Sequence, residues 1–124
     1  MSNQIFLYLA GFFTFVWGLA HLFPTKAVVE NFGDISEDNR HIITMEWITE
    51  GVALMFIGTL VAAVTFVGYD HMIAKTVYRL AAGVLMVLAG VSLFTGFKVN
   101  FLPYKLCPAI FSVSAILLWL GTYL

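Results

Sequence analysis

The chain has 124 residues, of which 61% are hydrophobic and 10% are charged, and its formal net charge is −1. A soluble globular domain is typically about half apolar and about a quarter charged, so this composition indicates an integral membrane protein and argues against a soluble module. The six lysines and arginines are scattered, which excludes a basic nucleic-acid-binding surface, and the single cysteine excludes an intrachain disulfide.

Four apolar runs are long enough to cross a bilayer, which requires about 20 mostly apolar residues. They cover approximately residues 5–23, 45–67, 77–97 and 107–124. The first run lacks a basic leading segment and a small-residue cleavage site, so we interpret it as an uncleaved first helix. No stretch alternates polar and apolar residues as a membrane β-barrel strand does. The sequence therefore predicts one all-α domain over residues 1–124, an integral membrane four-helix bundle.

The connection between the first two spans is the only substantial polar stretch. The first helix is expected to end at Pro24, because proline cannot donate the hydrogen bond that a continuing helix needs. Residues 25–44 follow, with Gly33 as a turn and Ser36 or Asp38 as a candidate cap for a lead-in to the second helix. In the last connection, prolines predict extended or first-turn positions. These are Pro103 and Pro108.

Alternation of four spans places the connections at 24–44 and 98–106 on one side of the membrane and both termini on the other. Aromatic residues are typical of membrane interfaces. They predict one boundary at Trp47 and Tyr104 and the other at Tyr69, Trp119 and Tyr123. The side with the connections at 24–44 and 98–106, here called the connection side, carries Lys26, Arg40, Lys98 and Lys105. The side with the termini carries Lys75 and Arg79. This positive-inside count favours termini outside the cytoplasm but leaves the orientation open.

Small residues recur seven positions apart, which is two helical turns, in every span. The pairs are Gly11 and Gly18, Gly51 and Gly58, Gly83 and Gly90, and Ser114 and Gly121. Close backbone approach at small residues carries much of helix association in lipid, and a seven-residue period favours left-handed crossing. The pattern predicts a compact left-handed bundle. The likeness of LAGFFTFVWGLAHLF to LAAGVLMVLAGVSLF is consistent with a duplicated helical hairpin.

Two glutamates, Glu46 and Glu50, lie one turn apart where the second span begins. Trp47 marks the interface, so Glu50 lies roughly 4–5 Å deeper, where an unpaired charge costs several kcal/mol. His21 is in the last turn of the first helix, three residues after Gly18 and therefore on its small-residue face. A histidine between two carboxylates provides the elements of an acid–base site or a proton relay, so His21, Glu46 and Glu50 are the candidate catalytic residues.

Further side chains near this face are candidates for ligand binding. They are Trp17, Trp47, Arg40 and Asn100. An aromatic wall around Trp17 suits a flat or lipid-like ligand. No HExxH pattern is present, so the sequence gives no support for a metal. Structural roles explain the same residues: Glu46 as a helix-start acid, His21 beside the last helical carbonyls, and Glu50 in an ion pair with His21 or Arg40.

The first helix closes on GLAHLFP (residues 18–24), and a long first connection follows. Together with four short spans, this layout resembles the DoxX-like small membrane proteins of bacteria over the whole chain. The resemblance implies the bacterial cytoplasmic (inner) membrane, a membrane partner protein and, from the thiosulfate:quinone oxidoreductase subunit that gives the family its name, contact with a quinone. A second likeness, to the four-helix sterol isomerase group, implies acidic residues and a histidine in a membrane cavity.

Three hypotheses follow. In the first, the bundle binds a lipophilic small molecule, such as a quinone or an isoprenoid, at His21, Glu46 and Glu50 near one membrane face, as an accessory subunit of a membrane redox system. In the second, the same groups form a proton-transfer enzyme such as a double-bond isomerase, which needs a cavity of several hundred Å³. In the third, the chain is a structural subunit, in a homo-oligomer or with a membrane partner. A channel is disfavoured, because no span has a polar face along its length.

Overall fold

The computed structural model describes residues 2–124, with side chains from residue 3 onward. Within this part the chain is helical, without β-strands. The helices are α1 (Ser2–Leu22), α2 (Thr25–Glu30), α3 (Glu37–Gly68), α4 (Met72–Phe94) and α5 (Leu102–Tyr123), with a 3-10 helix at Gly96–Lys98. All the α-helices except α2 are long and apolar enough to cross a membrane. The prediction of an all-α four-helix bundle whose helices are long and apolar enough to span a membrane is confirmed, whereas left-handed crossing and duplication stay predictions.

The second long helix begins well before the predicted residue 45. Ser36 is its cap, with the Ser36 Oγ accepting a hydrogen bond from the Asn39 backbone N–H at 3.2 Å. Glu37 and Asp38 occupy the first turn, where the helix macrodipole favours acidic side chains. At 32 residues, α3 is about 48 Å long and exceeds the roughly 30 Å of bilayer hydrocarbon. Its first turns therefore extend beyond the membrane.

The other helix boundaries also differ from the sequence prediction. α4 begins at Met72 instead of residue 77, and α5 begins at Leu102 instead of residue 107. Pro103 occupies the first turn of α5 as predicted, but Pro108 lies inside the helix. The expectation of an extended or first-turn position for Pro108 is wrong, because the apolar residues on both sides of it favour a continuous membrane helix.

The short helix α2 was not predicted. It turns the chain back against the bundle after Pro24 and buries Val28 and Val29. These two apolar side chains in an otherwise polar stretch are the sequence signal for it. Because α2 contacts α3, it covers the end of the bundle beside the last turn of α1.

The long helices pack in an open arrangement. α1 packs along both α3 and α5, and α4 packs along α5, but α3 and α4 contact each other only weakly. Near the turn that joins α3 to α4, the two helices are linked by a buried hydrogen bond between Thr65 Oγ1 and the Tyr78 hydroxyl at 2.9 Å. Away from the turn they separate, and this separation opens a cleft on the side of the bundle.

Glycines explain the tightest contact, which lies between α1 and α3. A Cβ atom added at Gly18 would lie 2.6 Å from the Gly51 carbonyl oxygen, and one at Gly58 would lie 2.5 Å from the Gly11 carbonyl oxygen. The two helices are therefore antiparallel, with their backbones in direct contact at two levels. Packing through these two predicted small-residue pairs is confirmed.

The small residues of the last two helices behave differently from each other. A Cβ atom at Gly121 of α5 would lie 2.6 Å from Leu7 of α1, and Ser114 is fully buried. By contrast, no described atom lies within 4 Å of a Cβ atom placed at Gly83 or Gly90 of α4. The expectation that every span packs through its small-residue pair is wrong for α4, because α4 turns this face away from the other helices.

Candidate functional site

The register of α1 against α3 brings His21 and Glu50 together. Gly18 faces Gly51, so the last turn of α1 lies beside the turn of α3 that carries Glu50. His21 Nε2 lies 3.3 Å from Glu50 Oε2. The predicted meeting of these two side chains is confirmed, although the contact does not have hydrogen-bond geometry.

Trp47, one turn before Glu50 on α3, also contacts His21. The Trp47 ring stacks on the His21 ring, with 3.8 Å between centroids and 16° between planes. The Trp47 Nε1–H donates a hydrogen bond to the His21 carbonyl oxygen at 2.6 Å. This carbonyl is at the end of α1, where backbone acceptors lack partners within the helix. One tryptophan thus fixes both the backbone and the imidazole of His21.

The two partners differ in burial. The His21 side chain is 9% exposed, whereas the Glu50 side chain is 44% exposed. The expectation that Glu50 is buried is therefore wrong. The cause is the separation of α3 from α4, which leaves this flank of α3 uncovered. Glu50 reaches the outside of the bundle while its carboxylate remains beside a buried imidazole.

Two cavities meet at this contact. The first, which we call the aromatic cavity, has a volume of about 290 Å³. Its lining is Trp17, Ala20, His21, Pro24, Val28, Trp47, Phe101, Pro103, Tyr104, Leu106 and Cys107. The Trp47 and Tyr104 rings meet edge to face at 5.9 Å, which closes its wall between α3 and α5.

The second, which we call the lateral cleft, lies between α3 and α4 and has a volume of about 480 Å³. Its lining is Ile43, Glu46, Trp47, Thr49, Glu50, Ala53, Leu54, Ile57, Val84 and Leu88. Trp47 lines both cavities. His21 and Glu50 belong to different cavities but touch each other, so this contact lies in the partition between them.

The aromatic cavity contains polar groups without partners. Among the described residues, neither the buried Trp17 Nε1 nor the buried His21 Nε2 has a hydrogen-bond partner. The Cys107 thiol lies near the Trp17 indole without accepting its hydrogen in good geometry, and its own hydrogen bond goes to the Pro103 carbonyl at 3.5 Å. An unpaired buried donor such as the Trp17 indole N–H costs about 1–3 kcal/mol, whereas the His21 Nε2 has the Glu50 carboxylate at 3.3 Å.

The remaining predicted site residues divide into two groups. Trp17 lines the aromatic cavity, and Glu46 lines the lateral cleft beside Glu50. Arg40 and Asn100 line neither cavity: the Arg40 Nη2 donates to the Gly33 carbonyl at 3.4 Å, and Asn100 is exposed. The structure therefore does not bring Arg40 or Asn100 to the His21–Glu50 contact. The ion pair of Glu50 with Arg40, one of the structural alternatives, is absent from residues 2–124.

Sequence reasoning missed the contribution of α5 to the site. Phe101, Tyr104 and Cys107 form one side of the aromatic cavity. Tyr104 was predicted only as an interface residue, and nothing in the sequence links Cys107 to Trp17. The spacing of three between Phe101, Tyr104 and Cys107 is the helical signal for a shared face, and it becomes readable once α5 is known to begin at Leu102.

Comparison with known protein families, curated proteins and solved structures gives no match to this chain. The DoxX-like layout thus remains a resemblance, and arguments about function depend on the geometry of His21, Glu50 and the two cavities.

Proposed function

We propose that the protein binds a lipophilic small molecule with an oxygen-bearing ring, such as a quinone or an oxidised isoprenoid, in the aromatic cavity. The observation that carries this proposal is the buried Trp17 Nε1–H, which has no acceptor in hydrogen-bond geometry among the described residues, in a cavity also lined by His21, whose Nε2 lies 3.3 Å from the Glu50 carboxylate.

The chemistry of the two nitrogens defines the polar part of the ligand. The Trp17 Nε1 can only donate, and a His21 Nε2 that carries a hydrogen donates as well. A carbonyl oxygen has two lone pairs and can accept from both. Each nitrogen is covered by neighbouring atoms, so binding of a ligand oxygen requires these neighbours to shift.

The size and walls of the cavity define the apolar part. A cavity of about 150 Å³ accommodates a benzene ring, so about 290 Å³ suits a substituted ring such as a quinone head group. The volume does not suit a long tail. Phe101 and Leu106 at the cavity are partly exposed, which allows a tail to continue along the boundary between protein and lipid.

Glu50 connects this site to the outside. Its carboxylate is half-exposed in the lateral cleft and touches His21, which lines the aromatic cavity. This arrangement would supply protons to a bound quinone when a redox partner in the membrane delivers the two electrons that reduce it to the hydroquinone. The resemblance to DoxX-like proteins makes a quinone of the bacterial inner membrane the first ligand to test.

The test uses decylubiquinone with the detergent-extracted protein. Binding is measured by quenching of tryptophan fluorescence and by protection of Cys107 from N-ethylmaleimide, since Cys107 lines the aromatic cavity. Trp17→Phe removes the N–H and keeps a ring, and the dissociation constant should rise about ten-fold.

Trp119→Phe is the matched control, because Trp119 lies near the far end of α5 against Tyr123 and away from the aromatic cavity. Its affinity should equal that of the unaltered chain. If decylubiquinone neither quenches fluorescence nor protects Cys107, or if Trp17→Phe binds it unchanged, the proposal is wrong. Native mass spectrometry of the gently extracted protein then identifies any other lipophilic molecule that co-purifies.

The His21–Glu50 contact also favours a second candidate function, a proton-transfer enzyme such as a double-bond isomerase. A carboxylate and an imidazole 3.3 Å apart beside a cavity are the elements of general acid–base catalysis. This candidate requires turnover of an unsaturated lipophilic substrate with a bell-shaped dependence of rate on pH. Binding without turnover would be consistent with ligand binding as the function and would exclude the proton-transfer enzyme.

A further inference from the structure

A groove between α4 and α5 lies at the opposite end of the bundle from the aromatic cavity. Its volume is about 550 Å³. Arg79 and Tyr123 form its outer end, near the start of α4 and the end of α5, whereas Gly83, Met86 and Ile116 line its inner part. The groove thus combines one cationic end with an apolar interior, as a site for an amphiphile does.

Arg79 has no counter-charge within the part of the chain that the structure describes. Its guanidinium carbon lies 5.3 Å from the centre of the Tyr123 ring, which is a cation–π contact, and it forms no ion pair there. Asp70, the acidic side chain in the turn before α4, is paired with Lys75 at 3.3 Å. The other acidic side chains lie within residues 30–50, at the other end of the bundle. The guanidinium of Arg79 is therefore exposed and available to an anion from outside these residues.

The inner part of the groove has room for an acyl chain. No described atom lies within 4 Å of a Cβ atom placed at Gly83, so this face of α4 is open. Met86 is 55% exposed and lies about 10 Å deeper along α4 than Arg79, at 1.5 Å per residue. A chain that runs inward from Arg79 would cover an apolar helix face that the protein itself leaves uncovered.

We propose that the α4–α5 groove binds an anionic phospholipid, with the phosphate on Arg79 and one acyl chain along Gly83 and Met86. Arginine recognises phosphate oxygens with two parallel N–H donors. A zwitterionic lipid would bring an ammonium group beside Arg79 and Lys75, where no unpaired acidic side chain of the described residues is present to receive it. The inference is independent of the ligand of the aromatic cavity.

Native mass spectrometry of the detergent-extracted protein tests this site. Phosphatidylglycerol and phosphatidylcholine with identical acyl chains are titrated separately, and their dissociation constants are compared. The unaltered chain should prefer phosphatidylglycerol, and Arg79→Gln should reduce this preference about ten-fold. Gly83→Leu should weaken binding of both lipids, because its side chain occupies the groove without meeting any neighbouring atom at the Cβ position.

Lys75→Gln is the matched control. Lys75 lies one turn before Arg79 on the same helix and has the same charge, but it already has Asp70 as its partner. It should change the preference less than about two-fold. Circular dichroism and thermal unfolding verify that each variant is folded. The inference is wrong if the unaltered chain binds both lipids equally, or if Arg79→Gln and Lys75→Gln reduce the preference by the same factor.

Discussion

His21 is held by three contacts, two from Trp47 and one from Glu50. Its carbonyl accepts from the Trp47 indole, its ring stacks on the same indole, and its Nε2 faces Glu50. At the scale of single residues, the contacts that position the imidazole come from a different residue than the contact that brings a charged group to it. Trp47 positions it, and Glu50 provides the charge.

Trp47→Phe should lower stability while leaving an aromatic ring against His21. The variant loses the 2.6 Å hydrogen bond to the His21 carbonyl, which is worth about 1 kcal/mol. Thermal unfolding in detergent measures the loss. Trp119→Phe is the control, because the Trp119 ring contacts Tyr123 at the other end of the bundle. Equal stability of the two variants would contradict a positioning role for Trp47.

Glu50→Gln and Glu46→Gln form a matched pair, because both side chains line the lateral cleft but only Glu50 contacts His21. Each should change stability by less than about 1 kcal/mol, since neither side chain is buried. Glu50→Gln should weaken binding of decylubiquinone several-fold, whereas Glu46→Gln should not. A fluorescence titration of both variants distinguishes them. Unchanged binding by Glu50→Gln would show that this carboxylate takes no part in binding decylubiquinone.

At the scale of helices, packing between α1 and α3 depends on glycines that α4 also has but does not use. Gly58→Ala places a Cβ atom 2.5 Å from the Gly11 carbonyl oxygen, so the helices must separate, and the loss should be about 1–3 kcal/mol. Gly90→Ala meets no described atom within 4 Å and should be neutral or slightly stabilising. Thermal or denaturant unfolding in detergent measures both. Equal losses would show that the seam between α1 and α3 is not close-packed.

These two glycines also show how far the sequence predicts the structure. A seven-residue spacing identifies a small-residue face on each helix, but it does not specify which neighbour faces it. The sequence therefore predicted the four apolar helices, the small-residue faces of α1 and α3 and the meeting of His21 with Glu50, but not the contact of Gly18 with Gly51. It did not predict that Gly83 and Gly90 face outward, because that depends on how α4 sits against α5.

The exposed position of Glu50 and the contribution of α5 to the aromatic cavity have the same cause. Both depend on contacts between helices that are distant in sequence, and apolar spans of similar composition do not encode these pairings in a short pattern. The cleft that exposes Glu50 exists because α3 and α4 diverge after their shared turn. Local sequence signals predicted a helix boundary only where a capping residue is present, as Ser36 is at the start of α3.

At the scale of the whole molecule, the two ends of the bundle have different chemistry. One end has the aromatic cavity, His21 and the connections that carry most of the charged residues, whereas the other has the α4–α5 groove and Arg79. A chain that crosses a bilayer with these ends on opposite faces would present a carbonyl-binding site to one surface and a phosphate-binding site to the other.

Cysteine labelling tests this orientation. In a Cys107→Ser background, Asp34→Cys and Asp70→Cys place exposed thiols on the connection side and on the turn between α3 and α4. Because four of the six basic residues lie on the connection side, we expect that side to be cytoplasmic. A membrane-impermeant maleimide should label Asp70→Cys in intact cells and Asp34→Cys only after permeabilisation. Labelling of both without permeabilisation would contradict a four-span topology.

The glycine seam between α1 and α3 holds the backbones of one half of the binding site at contact distance. Trp17 and His21 are on α1 and Trp47 is on α3, and these two helices touch backbone to backbone. We therefore expect a bulkier ligand to widen the aromatic cavity by displacing Phe101 and Tyr104, because a 3-10 helix and a short bend precede α5 there. Selectivity for ring size would accordingly be tuned by residues 95–104, and substitutions there should alter which compounds are accepted while the opposing wall remains unchanged.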